Sequence, residues 1–129
     1  MVNGNPSYTS IKGDLYNNIN KCVRLEPKIV PEPVPSVINF EPNCYYYIGT
    51  SAPITSVDFV LPQVEGDSIV TIKILFTTYK NNTISIYSAD NKPILYKEGF
   101  SIEDEKQQEI TMVFNEHTWL ISNTIYTNN

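Results

Sequence analysis

Cysteine is almost missing from this chain: its 129 residues hold two, Cys22 and Cys44, with no C-x-x-C pair. That scarcity excludes a disulfide-built scaffold and a cysteine-based metal or redox centre, and two reduced thiols are expected. Histidine and tryptophan occur once each, as His117 and Trp119. One histidine and two distant cysteines cannot assemble a transition-metal ligand set. No nucleophile elbow lies near His117, so a Ser-His-Asp arrangement has no basis, and a turn histidine is expected to be solvated. The five glycines, Gly4, Gly13, Gly49, Gly66 and Gly99, are too scattered for a phosphate-cradling loop. No stretch approaches the roughly 20 apolar residues of a membrane helix. The start, Met1-Val2-Asn3-Gly4-Asn5-Pro6-Ser7, has no basic or apolar core and does not read as a secretory signal. Positive charge is also short. Nine Lys plus Arg against fourteen Asp plus Glu give a net charge of −5, the wrong sign for a nucleic-acid or anionic-membrane binder.

Hydrophobic residues make up 41% of the chain, enough for one buried core, and the length fits one domain. Composition divides it at Pro31-Glu32-Pro33-Val34-Pro35, which reads as a stiff, extended spacer. Residues 1–35 are therefore taken as an N-terminal arm and spacer, 36–122 as the domain and 123–129 as a polar tail. Within the arm, Tyr8, Ile11, Leu15, Ile19, Cys22 and Val23 recur at three- and four-residue steps that would line a helical face. Gly13 and Asn17, Asn18 and Asn20 weaken that helix. Two readings stay open: an arm that orders against a partner, or a frayed terminus packed on its own domain.

Beyond the prolines the period becomes two. Val70, Ile72, Ile74 and Phe76 share one face of an extended strand, with Thr71 and Lys73 on the other. The same alternation marks Val57, Phe59 and Leu61, then Ile84 and Ile86, then Ile110, Met112 and Phe114. Turn chemistry separates these runs at Glu41-Pro42-Asn43, Gly49 to Pro53, Pro62 to Asp67, Lys80-Asn81-Asn82, Asp90 to Pro93 and Asn115-Glu116-His117. Eight short strands follow: 37–40, 44–48, 55–61, 68–77, 83–88, 94–96, 109–114 and 118–122. No crossover helix and no internal repeat is visible, so the fold class expected is all-β: an antiparallel β-sandwich, jelly-roll or Ig-like, of about seven to eight strands with an extended N-terminal arm.

Carboxylates are the residues most able to carry chemistry. Asp58 on a strand, Glu65 and Asp67 in one loop and Glu103-Asp104-Glu105 in another could meet across a cleft, as a glycosidase pair requires. A sandwich this small has little volume for an enclosed site, and Glu65 with Asp67 lacks the further oxygen ligands and turn glycine of a calcium loop. No catalytic residue, metal or cofactor is expected. In Tyr45-Tyr46-Tyr47, strand geometry puts Tyr46 on one face and Tyr45 with Tyr47 on the other, so some tyrosine must reach the surface. Trp119 is read as core.

Three pieces occur in succession: Val37 to Gly49, a strand, a Pro-Asn turn and a tyrosine-rich strand; Ile54 to Pro62 running into Ile69 to Thr78; and the hairpin Gln108 to Ser122. This succession resembles the small β-sandwich modules of virion proteins of tailed bacteriophages, found in capsid-decorating, head-fibre and tail-associated proteins. It covers residues 36–122, carries no catalytic signature, and departs where the family often has Trp-rich and Gly-rich loops and this chain has the charged segment Lys97 to Lys106. The resemblance implies a non-enzymatic auxiliary capsid or head-fibre protein located in the virion and assembled in the bacterial cytoplasm. It would be anchored through Tyr8, Ile11, Leu15 and Ile19 to the major capsid protein or other virion proteins, as a homo-oligomer or symmetric array. On the same grounds Tyr45, Tyr47, Tyr79 and Tyr87 are expected at a protein interface ahead of a glycan site. The alternative is a carbohydrate-binding module that grips a glycan with those tyrosines.

Overall fold

The computed structural model of the chain describes residues 24–65 and 68–127. Its regular structure is β throughout: β1 (Glu26–Ile29), β2 (Val37–Asn39), β3 (Cys44–Tyr47), β4 (Ile54–Leu61), β5 (Ile69–Ser88), β6 (Ile94–Tyr96), β7 (Gln107–Asn115) and β8 (Thr118–Tyr126). The positions of β2 to β8 follow the alternation expected from the sequence, while β1 forms in the span read as arm and spacer, where no strand is expected. The strand pairing departs from the expectation.

Among the described residues five of the seven strand pairs are parallel: β1 with β3, β3 with β5, β2 with β4, β4 with β5, and β6 with β8. Only β5 with β7 and β7 with β8 are antiparallel. The chain is a β-solenoid with stacked coils, and the expected antiparallel β-sandwich, jelly-roll or Ig-like, is corrected. One sheet runs β1-β3-β5-β7-β8-β6 and uses the first half of β5; the other runs β2-β4-β5 and uses its second half. Parallel neighbours need a crossover between them. Here the crossover from β1 to β3 contains β2 of the opposite sheet, and that from β3 to β5 contains β4, so no helix is required.

Coil length explains why no repeat is visible. Along the first sheet Glu26 pairs with Cys44, a step of 18 residues, and Tyr45 with Lys73, a step of 28. Along the second, Val37 pairs with Asp58, a step of 21, and Val57 with Ile84, a step of 27. Stacking constrains the strand register and leaves the corners free in length, so the period is lost in sequence.

β5 is a single 20-residue strand that turns from one sheet into the other where two strands and a turn are expected. Asn81 takes the left-handed conformation at φ 58°, which asparagine tolerates well. The Asp104 carboxylate accepts the backbone N–H of Asn81 at 3.0 Å and of Asn82 at 3.1 Å, and also the Asn82 side-chain amide. These hydrogen bonds from Asn82 and Asn81 hold the Asp104 carboxyl below the usual carboxylate range.

The two sheets close on one core. Phe59 of the second sheet meets Phe76 of the first edge to face at 5.6 Å, and Phe40 packs on Phe59 at 5.3 Å and on Tyr46 at 4.9 Å. Trp119 is fully buried against Phe114 at 5.3 Å, as core. Val30, inside the span read as arm and spacer, joins this core, and β8 continues through Tyr126 into the span read as tail. The arm residues Tyr8, Ile11, Leu15 and Ile19, together with Cys22, lie outside the described residues. Cys44 carries a free thiol, buried, and burial pushes its pKa up.

Candidate interaction surface

Alternation in β3 sends Tyr46 inward and Tyr45 with Tyr47 outward, as the strand geometry requires. The Tyr46 hydroxyl accepts the Glu41 backbone N–H at 2.7 Å. The Tyr45 hydroxyl donates to Glu109 Oε2 on β7, and Glu109 also sits 4.0 Å from Lys73 Nζ. Burial first, and then the hydrogen bond to Glu109, push the Tyr45 hydroxyl far above its ordinary pKa. Tyr45 is thus a half-buried strut in a sheet, while Tyr47 is open to solvent beside Ile29 of β1.

Tyr87 projects from the other sheet. It pairs with Val60, in the alternate set to Ile84 and Ile86, which lie across from the buried Val57 and Phe59. Because the inner faces pack on each other, Tyr87 and the Tyr45–Tyr47 pair point away from opposite sides of the molecule. Tyr79, also exposed, lies at the corner of β5. The four tyrosines do not converge on one surface.

The acidic candidates are likewise dispersed. Asp58 is on the outer side of the second sheet between Val37 and Ser85, Asp104 clamps the β5 corner, and Glu65 borders a small polar recess with Gln63, Val64, Asp90 and Lys92. Asp67 lies outside the described residues. Among the described residues no group of three or more His, Cys, Asp or Glu side chains is placed to hold a metal ion. His117 is exposed in the two-residue turn between β7 and β8, which is the expected hairpin. Glu116 before it adopts φ 64°.

Asp90 is the most strongly perturbed acid. Burial raises its pKa, but hydrogen bonds from Lys92 Nζ at 2.7 Å, Val64 N–H at 3.1 Å and the Ser88 hydroxyl at 2.8 Å outweigh it, and the pKa falls to about 2. Lys92 Nζ also donates to the Val64 carbonyl at 3.2 Å. The cluster ties the loop after β4 to the loop after β5. It is a joint.

Two open grooves flank β6, the first of them apolar. One, of about 520 Å³, is lined by Leu95, Tyr96, Lys97, Val113, Leu120, Ile121 and Ser122. Its floor is a cross-strand row: Leu95 pairs with Leu120 and Leu120 with Val113, with Leu95 59% and Leu120 44% exposed. The other, of about 540 Å³, runs between the Ile84-Ser85-Ile86 stretch of β5 and the segment holding Tyr96, Lys97, Gly99, Phe100 and Ile102. Tyr96 and Phe100 meet there at 4.9 Å.

The continuation of that segment, 103–106, is fastened from within. Buried Gln108 donates to the Glu103 carbonyl at 2.9 Å and accepts the Glu103 N–H at 3.3 Å. Buried Thr78 bonds the Glu103 carbonyl at 2.5 Å and accepts the Lys106 N–H at 3.1 Å.

Sequence reasoning passes over Leu95 and Leu120. The signal is present in Ile94-Leu95-Tyr96 and Trp119-Leu120-Ile121: three consecutive apolar residues on a strand cannot all face inward. The chain matches no protein-family model, no curated protein and no solved structure.

Proposed function

We propose that the chain is a non-enzymatic structural module of a tailed-bacteriophage virion, an auxiliary capsid, decoration or head-fibre protein that works as one member of a symmetric assembly. The observation that carries its structural role is the Leu95–Leu120–Val113 row. A contiguous apolar strip left on the outer face of an ordered sheet marks an interaction surface, and here two leucines in direct register, Leu95 and Leu120, are both exposed. The virion as the setting rests on the succession of strands and turns in residues 36–122, taken as a residue pattern and without the sandwich fold that this chain does not have.

Light scattering on the full chain over a concentration series tests the role. The expected mass exceeds the 14.7 kDa of a single chain and returns to it in the Leu120→Lys variant with an unchanged circular-dichroism spectrum. A single-chain mass at every concentration, with no retention on phage particles that lack the protein, overturns the reading.

A further inference from the structure

The outer face of the first sheet carries two apolar corners. Cross-strand pairing lays Ile29 of β1 beside Tyr47 of β3, and Tyr47 beside Leu75 of β5. Lower on β5, Thr71 pairs with Val113, which begins the row Val113–Leu120–Leu95. The first corner therefore lies in the β1-β3-β5 half of the sheet at one end of its strands, and the second in the β7-β8-β6 half at the other. Tyr47 and Leu120 are separated by roughly 20 Å across the face, from the strand spacing and the rise per residue.

The corners differ in shape. Ile29 is 81% exposed and projects from the sheet beside exposed Tyr47, while Val113, Leu120 and Leu95 line the groove of about 520 Å³. One corner is a knob and the other a hollow. Between them the face is electrically quiet. The charged side chains that these strands turn outward are Lys73 and Glu109, 4.0 Å apart, and the Tyr45 hydroxyl donates to Glu109. Lys97, just past β6, borders the hollow. Lys73 and Glu109 cancel, on a chain whose net charge is −5. Depletion of charge marks the centre of an interface, and a charge that already has its partner can be covered without being orphaned.

Size and symmetry point to a second copy of the chain. The six strands of this sheet, with β5 paired to β7 from Ile69 to Thr77, present a face on the order of 800 Å². That is about what each partner of a stable complex buries. Because knob and hollow share one face, a two-fold axis lying between two such faces, across the line that joins the corners, seats each copy's knob in the other's hollow. The contact closes at two copies. Their strands then cross at about 90°, one of the two ways in which sheets stack.

We infer that two copies pack these faces together about a two-fold axis, with Ile29 and Tyr47 of each entering the Leu95–Leu120 groove of the other. The inference rests on the assembly reading above and deepens it by naming the partner and the contact.

Disulfide trapping with full chains tests it. In a Cys22→Ser background, which leaves buried Cys44 as the native thiol, one preparation carries Tyr47→Cys and a second, isotope-enriched, carries Leu120→Cys. Air oxidation of the mixture is expected to give a covalent pair holding one chain of each kind, read by mass spectrometry, and either preparation alone is expected to give none. Ile29→Lys in the otherwise unsubstituted chain is expected to return the mass in light scattering to that of a single chain, with an unchanged circular-dichroism spectrum. No mixed pair while the same mixture scatters as an assembly overturns the inference and leaves the structural role standing. A covalent pair formed by either preparation alone puts like corners together and overturns the crosswise packing, as does an assembled mass that survives Ile29→Lys. A single-chain mass for the unsubstituted chain at every concentration overturns both readings.

Discussion

The two ends of the solenoid finish their sheets in opposite ways. At the first coil the edge strand β1 reads Glu26-Pro27-Lys28-Ile29, and Pro31, Pro33 and Pro35 precede β2. The Glu26 and Val30 N–H groups bond β3, so the Pro27 nitrogen falls on the open side, where it removes a donor. Lys28 pairs with Glu41 at 3.5 Å on the same rim. Proline and charge on an edge strand are devices against strand addition. At the far end, the first sheet is extended by the antiparallel β7 and β8 and closed by β6, while the second stops at Thr83-Ile84-Ser85-Ile86, with neither proline nor charge. Both edges belong to one fold: proline and charge blunt the outer edge of β1, and the Ile84–Ile86 edge of β5 carries neither.

The largest test asks whether the ends are one cooperative unit. Phe76→Ala removes the ring that joins the two sheets at Phe59 and is expected to cost about 3–5 kcal/mol. Urea unfolding followed separately by Trp119 fluorescence at the far end and by circular dichroism should then shift together; two resolved transitions would show that the ends are separate units.

Gln108→Leu acts at the far end only. It strips a buried amide from the Glu103 backbone and Thr78, with an expected loss of about 1–3 kcal/mol. Hydrogen exchange should accelerate across residues 97–106 and stay unchanged in β1 and β2.

Acid should weaken the joint at Asp90. Its folded pKa of about 2 lies below the ordinary aspartate value of 3.8, so its stabilisation is present above roughly pH 4 and is lost as pH falls through 2. After solvent screening this is on the order of 1 kcal/mol. The Asp90→Asn variant should lose that acid dependence in denaturant titrations at stepped pH.

The smallest effect is on the blunted edge. Pro27→Thr should change stability by no more than about 0.5 kcal/mol, yet restoring an edge donor should raise concentration-dependent scattering. Equal scattering would mean that Pro27 does not protect this edge.

Residue alternation located most of the strands correctly, including Ile94–Tyr96 and the β7–β8 hairpin around Glu116 and His117, because a buried face imposes a period of two whatever the pairing. That is also why it misled about the architecture. Val57, Phe59 and Leu61 would alternate in the same way beside an antiparallel partner, and turn residues such as Asn81 and Asn82 serve a solenoid corner as well as a hairpin. The division of Tyr46 from Tyr45 and Tyr47 was legible for the same reason. That Tyr87 would face away from them was not, since opposite sheets become opposite sides only once the core closes.

By itself, then, the sequence determined which residues are extended, which side of each strand is apolar, and that Trp119 belongs inside, all consequences of local chain geometry and transfer from water. Tertiary structure alone decided that strands 18 to 28 residues apart lie side by side in parallel, that Gln108 and Thr78 hold the 103–106 segment above β5, and that Ile84 and Ile86 line a groove. Those outcomes depend on which distant backbone groups find each other, and the length of a corner carries no record of that choice.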